Sequence, residues 1–312
     1  MSFIRTKVCK DYIKFVKSYQ PFDWEDVNTH SVIVSYIRFF YVYKLLKSIF
    51  SNKDKVTVMD IGAYPGGMLK LLMNFFGNKV KYIGVGLGFN EEYRSTMKAL
   101  DVELAEAEID PNFCQIHSVE DLGTKNLSKF NDIECVLFLD IIEHLTDPVF
   151  SLDLINSKMI TGGDLIITTD NITSLGYLAH MIYNGRSPNI HPIRSSLIFK
   201  GLWRPHHREY SKDELKFYLD YCGFELVSHQ YFDREQGDYS LNMEGKITYN
   251  PKFYLISRVI RGLIKMILPH LKEHHIFHFK KKVDFSIQSI ERPKKTLDVD
   301  EWMKIRRRYG QL

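Results

Sequence analysis

Cysteine is scarce in this chain: Cys9, Cys114, Cys135 and Cys222 are the only four in 312 residues, and none form a C-x-x-C pair. That spacing offers neither a disulfide framework nor a thiolate metal site, and it fits reduced cysteines in a cytoplasmic protein. Long apolar runs are also missing. The nearest, residues 31–50, is broken by Arg38, Lys44 and Lys47, so no membrane span is expected. The opening MSFIRTKVCKDY has no uninterrupted apolar stretch, so no secretory signal is expected. Net charge is only +4, but residues 251–312 hold 15 Lys plus Arg against 6 Asp plus Glu, a local +9 that leaves −5 for residues 1–250. Such a split marks the C-terminal fifth as either a surface for an anionic partner or a solvated basic tail.

What the chain does have is a 45% hydrophobic composition, enough over this length for one large domain with appendages. Residues 56–67, VTVMDIGAYPGG, read as a buried strand ending in an acid and breaking into a glycine turn before a helix. Gly62, Gly66 and Gly67 let the backbone turn sharply and approach a ligand. The spacing is neither the G-x-G-x-x-G dinucleotide fingerprint nor a phosphate-binding P-loop. An acid at the strand end, Asp60, suits a ligand with a cationic or hydrogen-bond-donating part.

Before this turn, residues 1–55 read as an aromatic-rich helical cap. After it, strands and helices alternate: strands 56–61, 80–86, 102–109, 133–139, 163–169 and 224–232, helices 67–76, 90–100, 147–159 and 211–222. Alternation of this kind predicts an α/β doubly wound, Rossmann-like sheet. Ligands then bind beyond the carboxyl ends of the strands, which directs attention to Asp60, Gly86, Asp110, Asp140 and Thr169.

Past the fourth strand the apolar run of ECVLFLDIIEHLTDP stops at Asp140 and continues into Glu143 and His144. GGDLIITTDN, HHREYSKDEL and GFELVSHQYF follow in order. Together with the glycine turn, these segments resemble the class I S-adenosylmethionine-dependent methyltransferase family, in its small-molecule branch. The resemblance covers roughly residues 56–235, and more weakly HIFHFKKK at 275–282, which is similar to the family's last antiparallel strand. It implies a seven-stranded sheet over 56–283, with a helical insertion at about 238–274 and a basic tail from 284 to 312. It also implies S-adenosylmethionine as cofactor, with Asp60, Gly62, Ala63, Tyr64 and Gly66 around its methionine part. Asp110 falls at the position for the adenine amino group, and Asp140 on the sulfonium side. A sulfonium is cationic, so carboxylates and aromatic faces suit it as walls.

The second strand departs from the family pattern. Where an acid should grip the ribose hydroxyls, KYIGVGLGFN carries Gly86. A glycine there forgoes a charged hydrogen bond of about 1.5–3 kcal/mol, for which Glu91 or Glu92 are the available substitutes. Methyl transfer needs alignment of two partners and removal of a proton. The residues expected to carry it are His144, His206 and His207, with Glu143 orienting an imidazole; helix capping or packing for His144 and a polar loop for the His pair are the plain alternatives. Adjacent His206 and His207 lack the spacing of a zinc site, so no metal is expected; a divalent ion that positions two sugar hydroxyls is the alternative.

The resemblance points to a small-molecule acceptor, with a nucleotide- or lipid-linked sugar of surface-polysaccharide synthesis first in line. The basic C-terminus leaves an RNA methyltransferase as an alternative, although no N/D-P-P-Y/F segment is present. Gly86 leaves open a non-catalytic protein that keeps the fold. Residues 253–268 set Arg258, Arg261 and Lys265 against Val259, Ile260, Leu263, Ile264 and Ile267. That reads as an amphipathic helix, either a lid or a peripheral membrane contact.

Overall fold

A computed structural model describes residues 11–12, 14–19, 22, 36–86, 89–106, 127, 129–145, 148–185, 206, 208–233, 239–241, 247–249 and 262–286. Strands β1 (Val56–Ile61), β2 (Val80–Gly86), β3 (Glu103–Glu106), β4 (Ile133–Leu139), β5 (Met159–Asp170), β6 (Phe224–Phe232) and β9 (His274–Lys281) form one seven-stranded sheet. Its order is β3-β2-β1-β4-β5-β9-β6. The first five strands run parallel, and β9 is antiparallel to both neighbours. A separate pair, β7 (Tyr239–Leu241) and β8 (Ile247–Tyr249), forms a small antiparallel ladder. The segment expected to be a helical insertion thus contains strands as well as the helical residues 262–267.

Because side chains alternate along a strand, the sheet sorts its residues onto two faces. Val56, Val58, Tyr82, Cys135, Leu137 and Ile166 join one core, and Met59, Ile61, Ile83, Val136, Phe138, Leu165 and Ile167 join the other. The first face is covered by α1 (Tyr36–Ile49) and α2 (Gly67–Phe76), with α3 (Glu91–Ala99) contributing Tyr93 and Met97. The second is covered by α4 (Pro148–Lys158) and α6 (Lys212–Tyr221), while α5 (Leu175–Asn184) buries none of its residues. Phe15, Val16 and Tyr19 share the first core, so these residues before β1 are built into the sheet's packing. Aromatic contacts knit this layer together: Phe15 stacks on Tyr19 and Phe75, and Tyr43 meets Phe75 with ring centroids 4.3 Å apart.

Strand β5 is longer than expected. It starts at Met159 because the register shifts between Ile133 and Cys135, while Gly162 adopts φ +82. A left-handed glycine with an irregular register is how a strand absorbs extra residues and keeps pairing. On the amphipathic segment, residues 253–261 lie outside the described residues. Within the described part Lys265 turns inward to pair with Asp233 at 2.7 Å, while Leu263, Met266 and Ile267 are exposed. No helix among the described residues is long and apolar enough to cross a membrane.

Where β6 and β9 pair, His229 Nε2 lies 2.9 Å from His275 Nδ1. Burial pushes His229 down to about 4 and His275 down to about 3, so the fold holds both neutral. The unfolded chain binds these protons at the ordinary histidine value, so the stability they contribute is full above about pH 6.5 and is lost as pH falls through the depressed values. Denaturant unfolding at pH 7 and pH 4.5 should therefore show a smaller loss on acidification in His275→Phe than in the parent chain. Equal losses in both would contradict it.

Candidate functional site

A cleft of about 230 Å³ opens at the carboxyl ends of β1 and β4. It is lined by the glycine turn, Asp60, Met68 at the start of α2, Leu139 at the end of β4, and Arg38 and Phe39 from α1. The turn is held tightly. Val85 O accepts from Gly62 N at 2.9 Å and Ala63 N at 3.0 Å, and Ala63 O accepts from Gly66 N at 2.7 Å. Gly62 and Gly66 have φ of +87 and +88, which L side chains rarely adopt. At Gly67 a Cβ would lie 2.8 Å from the Phe39 ring, so the glycine is what lets α1 close over the cleft.

Asp60 is 3% exposed. Its carboxylate accepts from the Tyr82 hydroxyl and feels the Arg38 charge. Burial outweighs both and pushes it up to about 6. A carboxyl held near neutrality in a cleft is poised to gain from a cationic ligand.

Of the residues expected around a cofactor, Asp60, Gly62, Ala63 and Tyr64 line this cleft; Gly66, Gly86 and Asp140 do not appear among the lining residues. Asp110 and His207 lie outside the described residues. Tyr64 is half-buried, with its ring 5.5 Å from Tyr93 and its hydroxyl accepting from Asn90 at 3.4 Å. Gly86 has a packing reason: a Cβ there would sit 2.7 Å from the Phe89 ring, which stacks on Tyr93. An aromatic lid on a glycine therefore occupies the strand end where the family pattern has an acid. Glu91 is engaged by Arg94 on the α3 surface.

The turn after β4 carries two acids, and β5 anchors both. Thr168 Oγ1 donates to Asp140 at 2.6 Å, and Thr169 Oγ1 donates to Glu143 at 2.9 Å. Asp140, with φ +51, also forms an ion pair with Arg38. Glu143 is 1% exposed on a single 3₁₀ turn, Ile142–His144. Burial, then the neighbouring Asp170 and Glu209 carboxylates, pushes it well above the usual carboxylate range.

Beside Glu143 the rings of His144 and His206 meet edge to face, centroids 4.6 Å apart. His206 Nδ1 lies 2.8 Å from Glu209 Oε1 and 3.9 Å from Asp170 Oδ2. Asp170 in turn is 2.7 Å from His274, and the Tyr177 hydroxyl donates to both Asp170 and Glu209, at 3.2 and 3.1 Å. The sequence-predicted His144, His206 and Glu143 are thus brought together. Arg38, Asp170, Tyr177 and Glu209 were missed. The i, i+3 spacing of His206 and Glu209 was a usable signal; Arg38 reaching a residue 102 positions away was not.

No protein-family model matches the sequence, and no curated protein matches it. Solved structures do match. An S-adenosylmethionine-dependent methyltransferase from Archaeoglobus fulgidus is 21% identical, with 81% of this chain and 100% of that chain covered, at a TM-score of 0.46. Phosphoethanolamine N-methyltransferase 2 of Haemonchus contortus, solved with phosphomonomethylethanolamine and S-adenosylhomocysteine, is 16% identical, covering 82% of this chain and 58% of that one, at 0.47. A methyltransferase from Mesorhizobium loti is 10% identical, covering 79% and 97%, at 0.42. These are proteins the chain resembles; its own fold rests on the strand order and register above.

Tyr82 is the hydrogen-bond donor that keeps Asp60 from rising further. Carboxyl NMR should place the Asp60 titration near 6 in the parent chain, and about one unit higher in Tyr82→Phe, because a hydrogen bond to a charged acceptor contributes about 1.5 kcal/mol. An unmoved titration would show that the Tyr82 hydroxyl does not hold it down.

Proposed function

We propose that this chain is a class I S-adenosylmethionine-dependent methyltransferase that moves a methyl group to an oxygen or nitrogen of a small molecule. The observation that carries this reading is the juxtaposition at one end of the sheet. A cleft walled by a glycine turn and a buried acid stands next to a histidine–carboxylate cluster on the following strand ends. The family resemblance of the EHLTDP and HHREYS segments supports it.

In this reading the methionine part of the cofactor lies against Gly62, Ala63 and Asp60. The Asp60 carboxylate faces its cationic groups, and Phe39 and Tyr64 offer aromatic faces. The acceptor approaches from the side of Glu143, His144 and His206. Its oxygen or nitrogen lone pair forms a bond to the methyl carbon as the carbon–sulfur bond breaks. The electron pair of that bond goes to sulfur, leaving neutral S-adenosylhomocysteine. Loss of the acceptor's proton falls to the histidine–carboxylate cluster, and alignment of the two partners supplies most of the remaining acceleration. The ribose contact rests on groups other than Gly86. A nucleotide- or lipid-linked sugar is the first acceptor to test, on the strength of the resemblance. A peripheral membrane contact through 253–268 is supported by the exposed Leu263, Met266 and Ile267.

Titration calorimetry with S-adenosylmethionine should detect one site per chain. Its affinity should fall as pH is lowered through about 6, since protonating Asp60 removes the charge that faces the cofactor; each unit below that value weakens binding by up to about tenfold. No binding at millimolar cofactor would overturn the proposal. Given an acceptor, His206→Ala should lower turnover at least about a hundredfold, the usual contribution of a proton-transfer group. Unchanged turnover would remove the histidine from the reaction.

A further inference from the structure

Glu143, His144 and His206 each offer a ligand atom, and these atoms all lie within 4.8 Å of one another. They come from two segments of chain, the turn after β4 and the approach to α6, so no spacing in the sequence announces them. We propose that these three residues bind a divalent first-row transition ion. Two imidazoles and one carboxylate are a donor set used for such ions, and it leaves coordination positions open for water or a substrate hydroxyl.

Three observations support this beyond the grouping itself. First, His206 Nδ1 is committed to Glu209 Oε1 at 2.8 Å. That leaves Nε2 as the nitrogen it has to give, and a carboxylate on the second nitrogen is how metal-bound histidines are oriented. Second, Glu209 is 1% exposed and its Oε2 is buried with no hydrogen-bond partner among the described residues. An unpaired buried carboxylate oxygen is costly unless positive charge stands close by. Third, Glu143, Asp170 and Glu209 are all buried around two imidazoles. That gathers six carboxyl oxygens beside the imidazole nitrogens, a donor set that a bound cation suits. Half-buried His144 and His206 keep the pocket open to solvent.

The role of the ion rests on the methyltransferase reading: bound there, it would hold the acceptor hydroxyl and lower its pKa, so that the histidine–carboxylate cluster eases loss of the proton through the ion it carries. The site itself does not depend on that reading.

Metal-free, untagged full-length protein should be titrated with Zn²⁺ by calorimetry and with Co²⁺ followed by visible absorption. One ion per chain is expected, with Co²⁺ bands of a site containing histidine nitrogen. His206→Ala and Glu143→Gln should weaken binding at least a hundredfold. Glu209→Gln, a positioning change, should weaken it ten- to a hundredfold while leaving the stoichiometry at one. Circular dichroism checks each fold; if Glu143→Gln unfolds, half-buried His144→Ala decides. Absence of stoichiometric binding, or binding that survives all these changes, overturns the site. S-adenosylmethionine titrated into the same samples keeps the two proposals apart: cofactor binding without metal refutes only the metal site, and metal binding without cofactor refutes only the methyltransferase.

Discussion

Two consecutive threonines near the end of β5 set the geometry on which both halves of the site depend. Successive side chains on a strand point to opposite faces of the sheet. Thr168 therefore holds Asp140 toward the face covered by α1, while Thr169 holds Glu143 toward the face where Ile142, Leu145 and Tyr210 pack. One short turn after β4 thereby supplies Asp140 to the ion pair with Arg38 and Glu143 to the histidine cluster. Because Thr168 and Thr169 also pair in register with β9, the whole arrangement is tied to rigid sheet rather than loop.

The charges on the two sides are handled differently. Asp140 is answered by a guanidinium and remains part-exposed, so water and Arg38 share its solvation. Glu143 is answered only in part by the Thr169 hydroxyl and a backbone hydrogen bond, and sits near two further acids. Asp60 is intermediate, buried but given a phenol and a distant guanidinium. A buried, under-compensated carboxylate gains most when a cationic ligand arrives. That logic underlies both the cofactor position proposed at Asp60 and the metal site proposed at Glu143.

Much of the frame was legible in the sequence because local signals agreed. Strands β1, β2, β4 and β6 and helix α2 fall at the expected residues: apolar runs or period-two patterns bounded by glycine or acids leave little freedom. The early start of β5 was hidden because the strand was expected from Gly163, after a helix reaching 159, and only pairing with β4 recruits Met159. In the site, Glu143, His144 and His206 could be named because each sits in a marked segment. Arg38 looked like an interruption of an apolar stretch; its partner is 102 residues away, a relation that exists only once α1 packs on the sheet. Gly86 read as a missing acid, and the structure adds that it is the floor on which Phe89 rests. The pairing of Lys265 with Asp233 could likewise not be read from the sequence, since its partner lies 32 residues away.

The placement of the cofactor is tested most directly by a crystal structure of the protein with S-adenosylhomocysteine. The homocysteine part should lie against Gly62, Ala63 and Asp60, with the sulfur directed toward the side of Glu143, His144 and His206. A cofactor bound elsewhere, or with its sulfur turned away from that cluster, would contradict the proposed chemistry.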